Sequence, residues 1–375
     1  MDIKREFVDL ALQPGANRRE LCRRFNIGPK AAYALLNRFA QEGAGAFAER
    51  SRRPHTSPAK TAAEVESAVL AVREQFPAWG GRKIARVLHQ RGGVCVPSAS
   101  TITAILHRHG QIRAESSQAA EHWHRFEHEQ PNALWQIDFK GYFETDDGSR
   151  CDALTLLDDH SRFNLAIQVC RRTDTAHVRD ALIPVFERYG LPWRIHADNG
   201  SPWGTPAKVG HGLSALSVWL IRQGITVTHS TPYHPQTNGK LERFHRSLKA
   251  EVLSNHSFAD PAQVQRAFDR WRTVYNHLRP HESLGDRPPI SRYKPSSRRY
   301  SAQLPAIEYA PNDIVLQVKD NGWVKFQGRR IRMSAALYRL PIAFRPVPDQ
   351  DGSFDVFFCH QAFMRLDLRT LQPSD

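Results

Sequence analysis

The sequence predicts a multidomain chain: an N-terminal all-α part built of helix-turn-helix units, a central α/β part, and a small β-rich end. Three observations predict it. Apolar residues recur at helical spacing as far as residue 110, and from Trp135 the pattern shifts to short strands. Strand-type runs with tight-turn signals return after residue 310. The charge is divided the same way. A net +14 is spread as +10 over residues 1–113, −1 over 114–290 and +5 over 291–375. Two basic ends around a neutral middle point to a polyanionic partner, with nucleic acid the default.

Composition narrows the field. A length of 375 residues fits two or three domains, and 41% hydrophobic with 10% aromatic residues excludes a wholly disordered chain. No apolar run reaches the roughly 18 residues of a membrane span. Met1-Asp2-Ile3-Lys4-Arg5 leads into a polar helical pattern rather than an apolar leader, so a soluble cytoplasmic protein with no membrane partner is expected. Cys22, Cys95, Cys151, Cys170 and Cys359 are scattered and form no C-x-x-C, which argues against a disulfide framework and a cysteine-rich zinc site. His122, His124 and His128 lack cysteine partners and read as a solvated basic helix.

Residues 1–48 form the first expected domain. A helix at 18–25, a break at Asn26-Ile27-Gly28 and a helix from Pro29 to about residue 39 make a helix-turn-helix pattern. Leu21, Phe25, Ile27, Leu35, Leu36 and Phe39 supply its apolar face, and Arg23, Arg24, Lys30 and Arg38 are candidate DNA contacts on the other. Residues 49–60 are a basic linker whose Arg52 and Arg53 either track a DNA backbone or sit in a solvated spacer. Residues 61–115 repeat the pattern. A basic helix at 81–89, a turn at 92–97 and a helix at 101–108 capped by Ser98 to Ser100 make a second DNA-binding unit, with Arg82, Lys83 and Arg108 as contacts.

Residues 125–290 form the middle domain. Strands are expected at 134–139, 152–157 and 164–169, a helix at 174–189 and a strand at 193–197. A helix at 211–223, a strand at 225–229 and helices at 237–253 and 261–277 come after them. Three strands and then alternating helix and strand make a mixed α/β fold. A Pro-, Ser- and Arg-rich link at 286–304 leads to a basic β-barrel-like domain over 305–375, with strands at 314–318, 324–326, 343–345 and 354–358.

Asp138 interrupts an apolar strand, Asp198 directly follows another, and Glu242 lies on a later helix. Singly they read as a strand Asp, a turn Asp and a surface Glu paired with Arg246. Together, two Asp residues on strands and a Glu on a helix can converge at a sheet edge. Three carboxylates make an all-oxygen site for Mg²⁺ or Mn²⁺, and two such ions suit in-line phosphoryl transfer.

The wording around these residues carries a resemblance. It runs through Trp135-Gln136-Ile137-Asp138, Leu157-Asp158-Asp159-His160-Ser161-Arg162 and His196-Ala197-Asp198-Asn199-Gly200-Ser201. It continues from Thr231-Pro232-Tyr233-His234-Pro235-Gln236-Thr237-Asn238-Gly239-Lys240-Leu241-Glu242 to Lys249, and ends at Tyr275-Asn276-His277-Leu278-Arg279-Pro280-His281. In order and content these stretches resemble insertion-sequence transposases with the integrase-type DDE core, members of the ribonuclease-H-like superfamily.

The resemblance implies roles. Asp138, Asp198 and Glu242 become the catalytic, metal-binding triad. The expected function is cleavage at the ends of a transposable element and joining of the 3′-hydroxyl to target DNA, by a protein that self-associates as a dimer or more. A bacterial, nucleoid-associated location goes with it. His234, Gln236 and Asn238 precede the catalytic helix near the DNA strands. Arg246 is a further DNA contact, and Lys249 is either a phosphate contact or a solvated lysine. Asp158 and Asp159 shape the turn after their strand. One departure is the spacing: 43 residues lie between Asp198 and Glu242, more than the family's usual number, with the surplus placed in the Gly/Pro-rich loop 203–212. Two rival readings are a transposase-derived DNA-binding regulator with an inactive core and a ribonuclease-H-like nuclease acting on RNA or hybrids without strand transfer. The three intact carboxylates argue against the first and the tandem DNA-reading front against the second.

Overall fold

The computed structural model describes residues 3–49, 60–112, 127–205, 213–229, 239–254, 256–319 and 321–370. Arg52, Arg53, His122, His124, His234, Gln236 and Asn238 lie outside the described residues. The chain divides into two compact units, Met1–Lys60 and Thr61–Asp375.

In the first unit, α1 (Ile3–Ala11), α2 (Arg18–Arg24) and α3 (Pro29–Glu42) are followed by a 3₁₀ turn, Gly43–Phe47. Asn17 caps α2 by accepting the Glu20 amide at 3.2 Å, and Pro29 opens α3 where no amide hydrogen is needed. Phe7, Val8, Ala11, Cys22, Ala32 and Leu36 form the core, with Leu21, Phe25, Ile27, Leu35 and Phe39 around it. The α2–α3 pair is the expected helix-turn-helix, and α1 completes its core.

The second unit opens with α4 (Ala63–Gln75), α5 (Gly81–Arg91) and α6 (Ala99–Arg108). Val69, Val72, Trp79, Ile84, Leu88, Ile102, Ile105 and Leu106 fill the space between them. Gly81 is required where α5 meets α6: a Cβ there would fall 2.2 Å from the Ala99 carbonyl oxygen. Val274, from a helix near the end of the middle region, rests on the core of this helical group. The group therefore shares one compact unit with the middle and end of the chain.

The middle is a five-stranded sheet. In sequence order come β1 (Trp135–Glu144), β2 (Arg150–Asp158), β3 (Asn164–Cys170), α7 (Thr175–Tyr189) and β4 (Arg194–Ala197). Next are α8 (Ala215–Arg222), β5 (Thr226–His229), α9 (Gly239–Leu248) and α10 (Pro261–His277). The strand order is β3-β2-β1-β4-β5, antiparallel among the first three and parallel for β1-β4 and β4-β5. One apolar cluster joins α7 and α8 to one side of the sheet. A second joins Ala153, Leu157 and Ile167 to Leu241, Phe244 and Leu248 of α9 and Phe268 and Trp271 of α10. Helices on both sides of a mixed sheet give the ribonuclease-H-like α/β arrangement expected from the residues.

The helix expected over 237–253 changes character: α9 ends at Leu248 and Lys249–Leu253 is π-helical, a one-residue widening of the turn. The C-terminal part holds β6 (Ile314–Gln317), β7 (Trp323–Phe326), β8 (Arg329–Arg332), β9 (Pro341–Pro346), β10 (Ser353–Phe358) and β11 (Gln361–Asp367). These form an antiparallel sheet ordered β11-β10-β9-β6 and the hairpin β7-β8. Strands β8 and β11 add to those the sequence predicts, because Arg-Arg-Ile-Arg and Gln-Ala-Phe-Met-Arg-Leu-Asp carry too little apolar alternation to announce a strand. The core of this part is continuous with the α7–α8 side of the sheet. Its Gln361 side chain pairs with edge strand β5, accepting the Val227 amide at 2.8 Å and donating to the Val227 carbonyl at 2.9 Å.

Candidate active site

Asp138 sits in β1 directly opposite Thr155 of β2. The strand is flanked by apolar layers, so the carboxylate is half-buried; its Oδ1 accepts the Phe139 amide at 2.8 Å. Burial is the main cause that pushes the Asp138 carboxyl up to about 6, and the negative charges of Asp198 and Glu242 raise it further. Lys140 offsets the smallest part of this. Two carboxylates more than fifty residues away in the sequence are therefore electrostatic neighbours of Asp138.

Asp198 follows β4, the strand parallel to β1. It is exposed, and its Oδ1 accepts the Gly200 amide at 3.0 Å in a tight turn. His229, at the end of β5, donates from Nδ1 to the Asp198 carbonyl oxygen at 2.8 Å and so holds the backbone of that turn. Glu242 lies in the first turn of α9 and is exposed, while Leu241, Phe244 and Leu248 turn the other helix face into the core. Asp198, after the strand parallel to β1, and Glu242, on α9, are thus both within electrostatic reach of Asp138. Among the described residues no three His, Cys, Asp or Glu side chains are already drawn close enough to hold a metal ion. The donor set nonetheless fits a hard divalent cation: three carboxylates, one of them held half-buried against the charge of the other two.

Two aspartates of the Leu157-Asp158-Asp159-His160-Ser161-Arg162 stretch shape the turn after β2. Asp158 is buried and accepts the Asn132 amide at 2.7 Å and the Ser161 amide at 2.8 Å. Asp159, also buried, accepts the His128 amide at 2.9 Å and Gln136 Nε2 at 3.2 Å, and it pairs with the Lys240 ammonium of α9. Sequence reasoning does not single out Lys240, Thr155, His229 or His245. Their partners are set by cross-strand register and by which helix face turns inward, which residue type does not carry.

The candidate DNA contacts divide. Arg23, Arg24 and Lys30 are exposed on the first unit, with Arg23 also 3.4 Å from Glu20. Arg38 is half-buried, 3.4 Å from Glu42, and donates to the Gly45 and Ala48 carbonyls, so it closes the end of α3. Arg108 is bound to buried Glu66. Arg82 reaches Glu282 at 3.0 Å, and half-buried Lys83 lies 3.7 Å from half-buried Glu251. Arg38, Arg82, Lys83 and Arg108 thus each have an ion pair within the chain, and Arg82 and Arg108 remain exposed. Arg246 and Lys249 are exposed beyond Glu242.

The chain matches families of known domains along most of its length. Residues 128–235 and 223–289 match integrase core domain families. Residues 3–55 match a helix-turn-helix domain, and residues 31–106 a homeodomain-like domain. Residues 313–374 match the C-terminal domain of IS481 family transposases. Among curated proteins it is similar to an uncharacterized 39.2 kDa protein of insertion element IS476 from Xanthomonas euvesicatoria, 30% identical over 42% of this chain and 43% of that one. It is also similar to an uncharacterized 31.7 kDa protein of insertion element IS407 from Burkholderia multivorans, 28% identical over 41% of this chain and 52% of that one. The Gag-Pol polyprotein of baboon endogenous virus is 29% identical over 59% of this chain and 13% of its own length. The chain thus spans about half the length of the insertion-element relatives it matches. No helix among the described residues is long and apolar enough to cross a membrane. In chain order the matches thus run from helix-turn-helix families through integrase core families to the C-terminal domain family of IS481 transposases.

Proposed function

We propose, from an integrase core framed by helix-turn-helix and transposase-type domains, that this chain is a DDE transposase. It binds the terminal inverted repeats of a transposable element, cleaves the phosphodiester at each end and joins the freed 3′-hydroxyl to target DNA. The observation that carries the reading is the half-buried Asp138 carboxylate, raised by burial and by the charges of Asp198 and Glu242. A fold tolerates such repulsion where function needs the charges together.

Asp138, Asp198 and Glu242 would hold one or two Mg²⁺ or Mn²⁺ ions. When bound, such ions polarise the scissile phosphate and lower the pKa of the attacking hydroxyl. The chain's own residues arrange the rest. The Gly200 amide and His229 fix the Asp198 turn, β1 fixes Asp138, and the packed face of α9 presents Glu242 outward. Arg246 and Lys249, exposed farther along the same helical stretch, fit contacts to DNA phosphates. Arg23, Arg24 and Lys30 suit the DNA backbone or groove at the first unit, and Arg52, Arg53, His234, Gln236 and Asn238 keep their proposed DNA roles. Pairing two element ends calls for at least a dimer, and a bacterial nucleoid-associated location goes with the same reading.

The test is cleavage and joining of a duplex carrying the element's own end, by the purified full chain in Mg²⁺. Asp198→Asn is expected to bind this DNA as the wild type does and to cut none of it. Undiminished cutting by that variant would remove the triad assignment. DNA binding by the wild type with no cleavage on any candidate end would favour a DNA-binding regulator with an inactive core.

A further inference from the structure

We propose that Thr155 and His245 are a positioning pair that sets Glu242 of α9 against Asp138 of β1. The proposal rests on the reading of the three carboxylates as a metal site.

Thr155 is fully buried and stands directly across from Asp138 in the β1–β2 ladder. Its hydroxyl donates to the Asp138 carbonyl oxygen at 2.9 Å. That commits the only proton it has, so the 2.7 Å contact to His245 Nε2 runs the other way, from an Nε2–H to the Thr155 oxygen. His245 is therefore held as the tautomer protonated at Nε2. It lies three residues after Glu242, one turn along α9, and is 9% exposed. A single hydroxyl thus ties the backbone of the residue bearing one carboxylate to the helix bearing another.

Apolar packing cannot do this alone. Leu241, Phe244 and Leu248 hold α9 on the sheet, but contact between apolar surfaces is non-directional and tolerates a small slide along the helix axis. Hydrogen bonds are directional and fix the register. A second polar tie lies on the other side of Glu242, where Lys240 meets the buried Asp159 at the end of the same strand region. Glu242 therefore stands between two polar anchors, at Lys240 and at His245, that both fasten α9 to β2 and the turn after it. Neither Thr155 nor His245 is exposed, so their role is exerted through Asp138 and Glu242.

The test compares Thr155→Val, which keeps shape and removes the hydroxyl, with Thr155→Ser, which restores it. Mn²⁺ affinity of the DNA-free full chain is measured by calorimetry, and DNA affinity and end cleavage are measured beside it. Removing groups that orient metal ligands typically weakens metal binding or activity about 10- to 100-fold. Thr155→Val is expected to weaken Mn²⁺ binding and slow cleavage about tenfold or more with DNA affinity unchanged, and Thr155→Ser to recover most of both. His245→Gln, which keeps a donor near the Nε2 position, should outperform His245→Phe in the same assays and decides the matter if Thr155→Val does not fold. Wild-type Mn²⁺ affinity in folded Thr155→Val, or in His245→Phe, would overturn the positioning role. A wild-type chain that neither binds Mn²⁺ nor differs from Asp138→Asn would instead overturn the metal-site reading beneath it.

Discussion

Lys83 Nζ on α5 lies 3.7 Å from Glu251 Oε1, in the π-helical turn that ends the helix bearing Glu242. Glu251 also accepts Arg279 Nε at 3.0 Å and Trp271 Nε1 at 2.9 Å. Burial disfavours its charge, yet the Arg279 and Lys83 cations outweigh burial and hold the carboxyl below its usual range. Burial also pushes the Lys83 ammonium down to about 8, helped by the nearby Arg279 charge. Nearby, Glu282 lies 3.0 Å from Arg82 and 3.7 Å from Arg243, the residue after Glu242. The basic start of α5 is thus fastened to α9 and the π-helical turn after it through two glutamates.

Glu251→Ala should therefore be severe. It leaves the nearly buried Arg279 without its carboxylate, and breaking such a pair costs about 3–5 kcal/mol. Lys83→Met, which removes a longer and more exposed ion pair, should cost no more than about 1 kcal/mol. Urea unfolding of the two variants checks the order, and equal losses would show that Lys83 carries more of the network than its geometry indicates.

Asp138→Asn should abolish cleavage while stabilising the metal-free protein. A carboxyl raised to about 6 favours the folded state below its unfolded value of 3.8, and that contribution is lost as pH rises through 6. At neutral pH the substitution removes this penalty, on the order of 1–3 kcal/mol. Melting in chelator at pH 7.5 and at pH 3.5 tests it: a gain in Tm at the higher pH that fades at the lower one is expected. A loss of Tm at both would mean that Asp138 is not repelled by its neighbours.

Acid should loosen the fold through two histidines. Burial lowers His245 to about 4, with the Lys140 charge adding to it, and lowers His281 to about 2, with Arg279 adding to it. The unfolded chain takes up these protons near pH 6.5 and the folded chain does not. Stability present above 6.5 is then lost as pH falls toward 4, by roughly 3 kcal/mol for His245 alone. His245→Gln should flatten that part of the pH–stability curve, and an unchanged slope would refute the assignment.

Gly81→Ala should destabilise the second unit in spite of alanine's better helix propensity. The new Cβ would fall 2.2 Å from the Ala99 carbonyl oxygen and 2.6 Å from Thr103 Oγ1, so α5 and α6 would have to part. Overpacking of this kind costs typically about 1–3 kcal/mol, more than the gain from replacing glycine. Chemical denaturation reads the sign directly.

DNA affinity should fall steeply with salt, and Arg23→Ala and Arg24→Ala should each reduce the slope of log K against log salt by about one. Arg38→Ala should act on stability instead, because its guanidinium is held by the Gly45 and Ala48 carbonyls. A full loss of salt slope in Arg38→Ala with no change in Tm would reverse that division.

Much of the fold is legible in the residues. The first helix-turn-helix follows from Pro29 and the Asn26-Ile27-Gly28 break, and the sheet follows from apolar runs that need two covered faces. Asp138, Asp198 and Glu242 can be chosen because their elements and order are readable, and the charges that raise Asp138 come from the other two. Charge alone does not announce the ion pairs of Lys83 and Arg108, since a lysine beside an internal glutamate has the same letter as one in open solvent. Thr155 and His245 are invisible for a similar reason. Their roles depend on cross-strand register and on which helix face turns inward, and neither is written in a residue type.

Strand β5 ends the central sheet, and an uncovered edge of that kind offers its amides to any passing strand. Gln361 answers with one side chain: its carboxamide presents an oxygen and an NH₂ to Val227 in the same order as a neighbouring backbone would. The C-terminal domain is thus a chaperone to the core's open flank, counterfeiting a sixth strand with a single amide. Cutting the chain before β6 would strip that cover, and the liberated core would be left to find its missing neighbour in another copy of itself.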